Sequence, residues 1–256
     1  MNDSTHPHAP DERLPFASGM AFDSTVENDS SHAGSDVKLP AGKRMLDVGI
    51  ILLTLPIWLP VMVLISMWVL FVSRGPIFFR QERIGLKGHK FWCLKFRSMK
   101  VNADTQLHEG HFFELLNPDR PMTKLDTIGD PRLIRGGKLF RASGLDELPQ
   151  IFNVLRGEMS LVGPRPCTPQ EYRHYLPWQK ERVTTLPGLT GNWQVNGKNY
   201  TTFSEMIAMD IDYSRNISVR RDCAILWKTV PTVLEEVRVT LAGSPRVRQA
   251  PMCDAA

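Results

Sequence analysis

Two adjacent carboxylates, Asp146 and Glu147, lie within Ser143-Gly144-Leu145-Asp146-Glu147-Leu148-Pro149-Gln150 and open an apolar segment, Ile151-Phe152-Asn153-Val154-Leu155. Arg141 stands five residues upstream of Asp146, and Gly163-Pro164-Arg165-Pro166 follows a short loop later. A carboxylate can attack phosphorus when nearby cations offset the repulsion between negative charges, so acids beside arginines suit phosphoryl chemistry. Arg165 is held between two prolines, which restrict the backbone on either side and can pre-orient a guanidinium towards phosphate. A structural reading stands beside each motif. Ser143 three residues ahead of Asp146 is also the spacing of a helix N-cap box, in which the acid needs no catalytic role. A Pro-Arg-Pro segment also serves as a plain turn. Spacing alone leaves both readings open.

The charge balance points to an anionic partner. The whole chain carries +4 and its first 42 residues carry −5, which leaves +9 on the remainder. A basic body suits a lipid headgroup or a nucleotide. No nucleic acid is expected as a partner, because the chain has no zinc, RNA-recognition or helix-turn-helix signature. Cys93, Cys167, Cys223 and Cys253 are far apart and none pair at metal-ligand spacing, so they read as reduced and cytosolic thiols. His108 and His111 have no nearby third ligand and read as surface loop.

The segment before this chemistry is apolar. Between Asp47 and Arg74 lie 26 residues without a charge, enough for a helix to cross a hydrocarbon core of ~30 Å. Pro56 and Pro60 interrupt it, and each lacks an N–H donor and crowds the preceding turn. Lys38, Lys43 and Arg44 precede the run, and Arg74, Arg80, Arg83 and Lys87 follow it. Basic flanks are cytoplasmic flanks. With both flanks basic, a helix that enters, breaks near Pro60 and returns satisfies the rule. A kinked spanning helix with an ordinary basic C-terminal flank satisfies it too.

Four segments follow from composition: a disordered acidic tail over 1–42, the membrane helix over 43–74, a catalytic domain over 75–240 and a flexible tail over 241–256. In the domain, Ile77–Glu82 and Phe91–Phe96 flank a Gly-containing turn and predict a hairpin, with Trp92, Leu94 and Phe96 on one apolar face. Residues 101–130 are polar and weakly patterned, and read as a helical or loop insertion. Gln170–Arg182, Thr202–Asn216 and Asp222–Thr240 read as helices. The last mixes Ile225, Leu226, Trp227, Val230 and Leu234 with Lys228 and Arg238. That composition suits a helix in the headgroup layer, and equally an ordinary core-facing helix. Pro187 to Asn199 holds three glycines and several amides, which suits close backbone approach to a ligand.

From Lys43 to about Leu234 the chain resembles the bacterial sugar transferase family, the monotopic polyprenyl-phosphate phosphoglycosyl transferases of the exopolysaccharide-initiating type. The shared pieces come in one order: Lys43-Arg44 with Asp47, Pro60 in the apolar run, Gly75 to Gly85, Lys95-Phe96-Arg97-Ser98-Met99, Asp130-Pro131-Arg132, Leu145 to Gln150, Gly157 to Pro166, and Pro187 to Asn199. The fold that the resemblance implies is α+β. It is mainly helical and monotopic, with a re-entrant (broken) membrane helix, a small β-hairpin and interfacial amphipathic helices. The activity it implies is transfer of a sugar 1-phosphate from a UDP-sugar to undecaprenyl phosphate at the cytoplasmic face of the bacterial inner membrane, with release of UMP. By the same resemblance Asp146 is the nucleophile, Glu147 completes the dyad, and Mg²⁺ sits with Asp146 and Glu147. Arg141, Arg165, Asp210, Lys43 and Arg44 fall in the phosphate- and substrate-binding set. Membrane lipids are partners, and an anchor of this kind can support a homodimer. Where the family often has Ser before the helix-breaking proline, this chain has Leu59-Pro60, so another group must satisfy the carbonyl freed by the break. The alternative is a non-catalytic membrane-anchored scaffold of a polysaccharide assembly complex, against which the intact Asp146, Glu147, Arg141 and Arg165 argue.

Overall fold

The computed structural model describes residues 41–100, 132–197 and 201–242. The expectations for the acidic tail, for the insertion at 101–130 with His108 and His111, for Lys198-Asn199 and for residues 243–256 lie outside the described residues.

The apolar run folds as two helices, α1 (Ala41–Leu53) and α2 (Leu55–Val72). The break lies at Thr54, with φ −91° and ψ 1°, not at Pro60 as expected. The reason is local. Pro56 occupies the first turn of α2, where a missing N–H has no helical partner to lose, whereas Pro60 is absorbed inside α2. One side chain, Trp58, meets the need that Leu59 cannot, since the Ile50 carbonyl already accepts from the Thr54 N–H at 2.9 Å. The Thr54 hydroxyl donates to the Ile50 carbonyl at 2.7 Å, and the Trp58 indole N–H donates to the Ile51 carbonyl at 2.9 Å, stapling α2 to α1.

One stripe of this broken helix is buried: Ile51, Trp58, Met62, Ile65 and Val69. Leu53, Ile57, Leu64 and Phe71 are exposed on the other faces. Among the described residues α2 is the one helix long and apolar enough to cross a membrane, and only 22% of its 18-residue apolar window is buried. Both ends are tied to the same body. At the start of α1, the Lys43 ammonium donates to the Val162 carbonyl at 2.9 Å, the Tyr213 hydroxyl at 3.0 Å and Asp222 Oδ2 at 2.7 Å. Past the end of α2, the Arg97 guanidinium donates to the carbonyls of Ser73 and Arg74 at 2.5 and 2.9 Å.

Strands β1 (Phe78–Ile84) and β2 (Lys90–Phe96) pair antiparallel, with Phe78 opposite Phe96 and Arg80 opposite Leu94. The free edge of β2 is closed by Asn153, which accepts from the Leu94 N–H at 3.1 Å and donates to the Trp92 carbonyl at 2.8 Å. The expected single apolar face is corrected here. Trp92 is 58% exposed, while Phe91 and Cys93 are buried from the other face, because both faces of the hairpin are partly covered.

The rest of the body is mainly helical. It comprises α3 (Gly137–Ser143), a 3₁₀ turn Leu145–Gln150, α4 (Ile151–Arg156), α5 (Pro169–His174), a 3₁₀ turn Gln179–Thr184, α6 (Asn192–Asn196), α7 (Phe203–Arg215) and α8 (Val219–Leu241). The helix expected over Gln170–Arg182 is divided in two, since Pro177 disfavours helix in the residue before it. Thr168 with Glu171 and Thr202 with Glu205 form capping boxes that start α5 and α7. A two-stranded parallel sheet pairs β3 (Ser160–Val162) with β4 (Gly188–Thr190). Helix α8 buries Asp222 and Ile225 and leaves Trp227, Val230 and Leu234 outside, so it is half core helix and half apolar surface.

Candidate active site

Asp146 is delivered by a glycine. Helix α3 stops at Gly144, whose φ of 70° lies in the left-handed region that a glycine adopts without strain. The chain then turns into the 3₁₀ segment that carries both acids. Ser143 is the last residue of α3, not a cap of the next helix, and its hydroxyl donates back to the Leu139 carbonyl at 2.8 Å. The N-cap reading therefore fails, and Asp146 is buried without that structural task.

Glu147 faces a cleft lined by Arg83, Cys93, Lys95, Gln150, Arg165, Pro166, Gly188, Leu189 and Gln194. Lys95 donates to Glu147 Oε1 at 2.7 Å. Arg83, Lys95 and Arg165 thus stand around one carboxylate, and the surplus of positive charge suits a di-anion such as a diphosphate. The close approach of two strands builds one wall. A Cβ on Gly188 would lie 2.0 Å from the Gly163 nitrogen, so only glycine lets β4 and the start of the Pro164-Arg165-Pro166 turn touch.

The two acids differ in charge. Burial, then the neighbouring Glu147, pushes the Asp146 carboxyl up to about 6, against the pull of Lys95 and Arg141. Burial also works against the Glu147 carboxylate, but Lys95 and Arg165 overcome it and hold this acid at about 2. Its side chain is 31% exposed, so the low value reflects the ring of cations. One acid is firmly ionised and the other titrates close to neutrality, the pattern of a site with divided roles.

Arg141 lies in the last turn of α3, half-buried, and its charge acts on Asp146. Arg165 is exposed at the cleft. Of the expected residues, Glu147 and Arg165 line this cleft; Asp146 and Arg141 are not in its lining, and Lys43, Arg44 and Asp210 are engaged elsewhere. Lys43 is 2% exposed with its three protons directed at Val162, Tyr213 and Asp222. Arg44 donates to the carbonyls of Val154 and Leu155 and closes the end of α4. Asp210 is fully buried and pairs with Arg182. Burial pushes its carboxyl up against the pull of Arg182. Arg182 in turn donates to the Arg165 carbonyl at 2.9 Å and the Tyr175 hydroxyl at 2.8 Å. Asp210 therefore reaches the site through the backbone of Arg165. Pro56 and Pro60, expected at the helix break, lie in the first turn and the interior of α2.

Sequence reasoning missed Lys95, Arg83, Gln150 and Gln194 as site residues. Lys95 carried a signal, since it alternates with flanking apolar residues on β2. Gln150 closes the dyad's own 3₁₀ segment, whereas Arg83 and Gln194 lie far from the dyad in sequence. Among the described residues no group of three His, Cys, Asp or Glu gathers. The chain offers Mg²⁺ two adjacent carboxylates, hard oxygen donors of which one is firmly ionised. That fits an ion commonly held by one or two carboxylates together with water and substrate phosphates.

The profile of the family described as bacterial sugar transferase matches residues 39–236. The exopolysaccharide production protein ExoY of Sinorhizobium fredii is 41% identical over 194 residues, spanning 75% of this chain and 84% of that protein. The UDP-glucose:undecaprenyl-phosphate glucose-1-phosphate transferase of Caulobacter vibrioides is 38% identical over 200 residues, 75% of this chain and 69% of the relative. The undecaprenyl-phosphate galactose phosphotransferase of Salmonella typhimurium is also 38% identical over 200 residues, but the match spans only 40% of that longer protein.

Proposed function

The chain belongs to the bacterial sugar transferase family, and from that premise we propose that it transfers a hexose 1-phosphate from a UDP-sugar to undecaprenyl phosphate through a covalent intermediate on Asp146. The observation that carries the reading is the buried Asp146, outside any Ser143 cap box, beside a Glu147 ringed by Lys95, Arg83 and Arg165. The printed activities of the relatives, galactose and glucose phosphate transfer to undecaprenyl phosphate, support the substrate class.

The ionised Asp146 attacks the phosphorus that bears the sugar. A new P–O bond forms to the Asp146 carboxylate, the bond to the UMP phosphate oxygen breaks, and UMP leaves with the electron pair. Lys95, Arg83 and Arg165 hold the diphosphate and favour the charge that develops on it. Lys95, and after it Arg141, pull Asp146 towards its anionic form against its burial. The lipid phosphate then attacks the same phosphorus, and the bond to Asp146 breaks, restoring the carboxylate. Asp146 and Glu147 are the pair that would hold Mg²⁺, which supplies further neutralisation of the diphosphate when bound.

The membrane seat is part of the reading. A spanning helix would carry one end ~30 Å away through the hydrocarbon. Here Lys43 at one end and Ser73 and Arg74 at the other are hydrogen-bonded to one body, which supports a re-entrant helix on the cytoplasmic leaflet. The test of function is UMP release from a panel of UDP-sugars, with undecaprenyl phosphate and Mg²⁺ in detergent or membranes. UMP release with at least one UDP-hexose is expected. No UMP from any donor, with the protein folded and membrane-bound, would leave a scaffold as the better reading.

A further inference from the structure

Only one face of the β-hairpin serves the cleft. Alternation along β1 and β2 sends Arg83, Cys93 and Lys95 into it and turns the paired Arg80 and Leu94 the other way. On that second face Phe78, Arg80, Leu94, Phe152 and Arg156 line a groove of about 270 Å³. Its floor is apolar. Phe78 stacks on Phe96 with ring centres 5.4 Å apart, and Phe152 meets Trp58 edge-on at 6.2 Å. Trp58 is the residue that staples the break in the membrane helix, so the floor runs up to that break. Above the floor are two exposed arginines, Arg80 and Arg156. Neither forms an ion pair among the described residues, and no acid lines the groove.

Two guanidinium groups over a bare hydrocarbon floor repel each other and attract an anion. The floor asks that the anion carry a hydrocarbon chain. We propose that this groove is a site for an anionic phospholipid, separate from the cleft in which the chemistry takes place. Its phosphate lies between Arg80 and Arg156, and the start of an acyl chain lies on Phe78, Leu94 and Phe152. The volume falls just below that of a typical small-molecule pocket of roughly 300–1,000 Å³, enough for a headgroup and the first part of a chain whose remainder stays in the bilayer. Such a lipid fixes the tilt of the hairpin, and hence of Lys95 on its other face, relative to the membrane. The inference rests on the membrane seat proposed above and not on the assignment of Asp146.

The experiment uses the full chain and flotation with phosphatidylcholine vesicles made with and without phosphatidylglycerol. Wild type is expected to bind the phosphatidylglycerol vesicles about 10-fold or more tightly, in line with the surface attraction of basic residues. Arg80→Gln/Arg156→Gln should lose most of that preference, keep the wild-type melting temperature, and release UMP normally in phosphatidylcholine. Arg80→Lys/Arg156→Lys should keep much of the preference. Three results would overturn the site: an unchanged preference in the Gln variant, an equal loss in the control Arg173→Gln/Arg220→Gln, or a several-fold rise in KM for polyprenyl phosphate in the Gln variant. The last would assign the groove to the acceptor. A wild-type protein that floats with neither vesicle would remove the membrane seat and the groove together.

Discussion

Lys95 shows what one residue does to the dyad. Its ammonium pulls both carboxyls down, Glu147 to about 2 and Asp146 only part of the way, leaving it at about 6. Asp146 must be ionised to attack, so UMP release is expected to fall as pH drops through about 6. Lys95→Met removes a cation that favours the charged form, so both carboxyls rise. The acid limb of the pH–rate profile should then move to higher pH by about one unit. An unmoved limb in a folded variant would contradict this electrostatic account. For stability the signs differ. The depressed Glu147 contributes stability above the unfolded value of 4.5, and this is lost as pH falls towards about 2. The raised Asp146 costs stability above about 6 and regains it as pH falls towards 3.8. The dyad and Arg165 were legible as types at a spacing. Lys95 and Arg83 were not legible as their neighbours, because strand pairing and the packing of β2 on the 3₁₀ turn bring them there from about 50 and 60 residues away.

At the scale of elements, the apolar run was legible and its breaking point was not. Two prolines four residues apart are equal candidates in sequence. The structure breaks at Thr54, beside Pro56, where the Trp58 indole reaches the Ile51 carbonyl left without a backbone donor. Two cysteines, Ser30→Cys ahead of the helix and Arg173→Cys on the body, are to be labelled separately in intact cells, with Cys223 and Cys253 replaced. The re-entrant reading expects labelling from the same side. Opposite sides would establish a spanning helix. The short elements were the least legible. Strand β3 and strand β4 are three residues each, too short for an alternating pattern, and their pairing depends on Gly163 and Gly188 at a distance in sequence.

For the whole molecule, Lys43 binds α1 to the body. The resemblance placed it with the substrate; the structure buries it against Asp222, Tyr213 and Val162, where α1, α7, α8 and β3 meet. Burial of a lysine cannot be read from a basic flank, since its partners lie 119 to 179 residues away. Lys43→Met leaves the Asp222 charge buried without its cation and is expected to cost about 3–5 kcal/mol, read as a fall in melting temperature. Lys43→Met/Asp222→Leu should recover part of it. A Lys43→Met protein of wild-type stability would show that the network holds nothing together. The central claim concerns Asp146, and the most direct measurement is exchange of labelled UMP into the UDP-sugar with no lipid acceptor present. A covalent intermediate predicts exchange in the wild type and a loss of at least about 10³-fold in Asp146→Asn. Exchange that requires undecaprenyl phosphate, or that survives in Asp146→Asn, would contradict it.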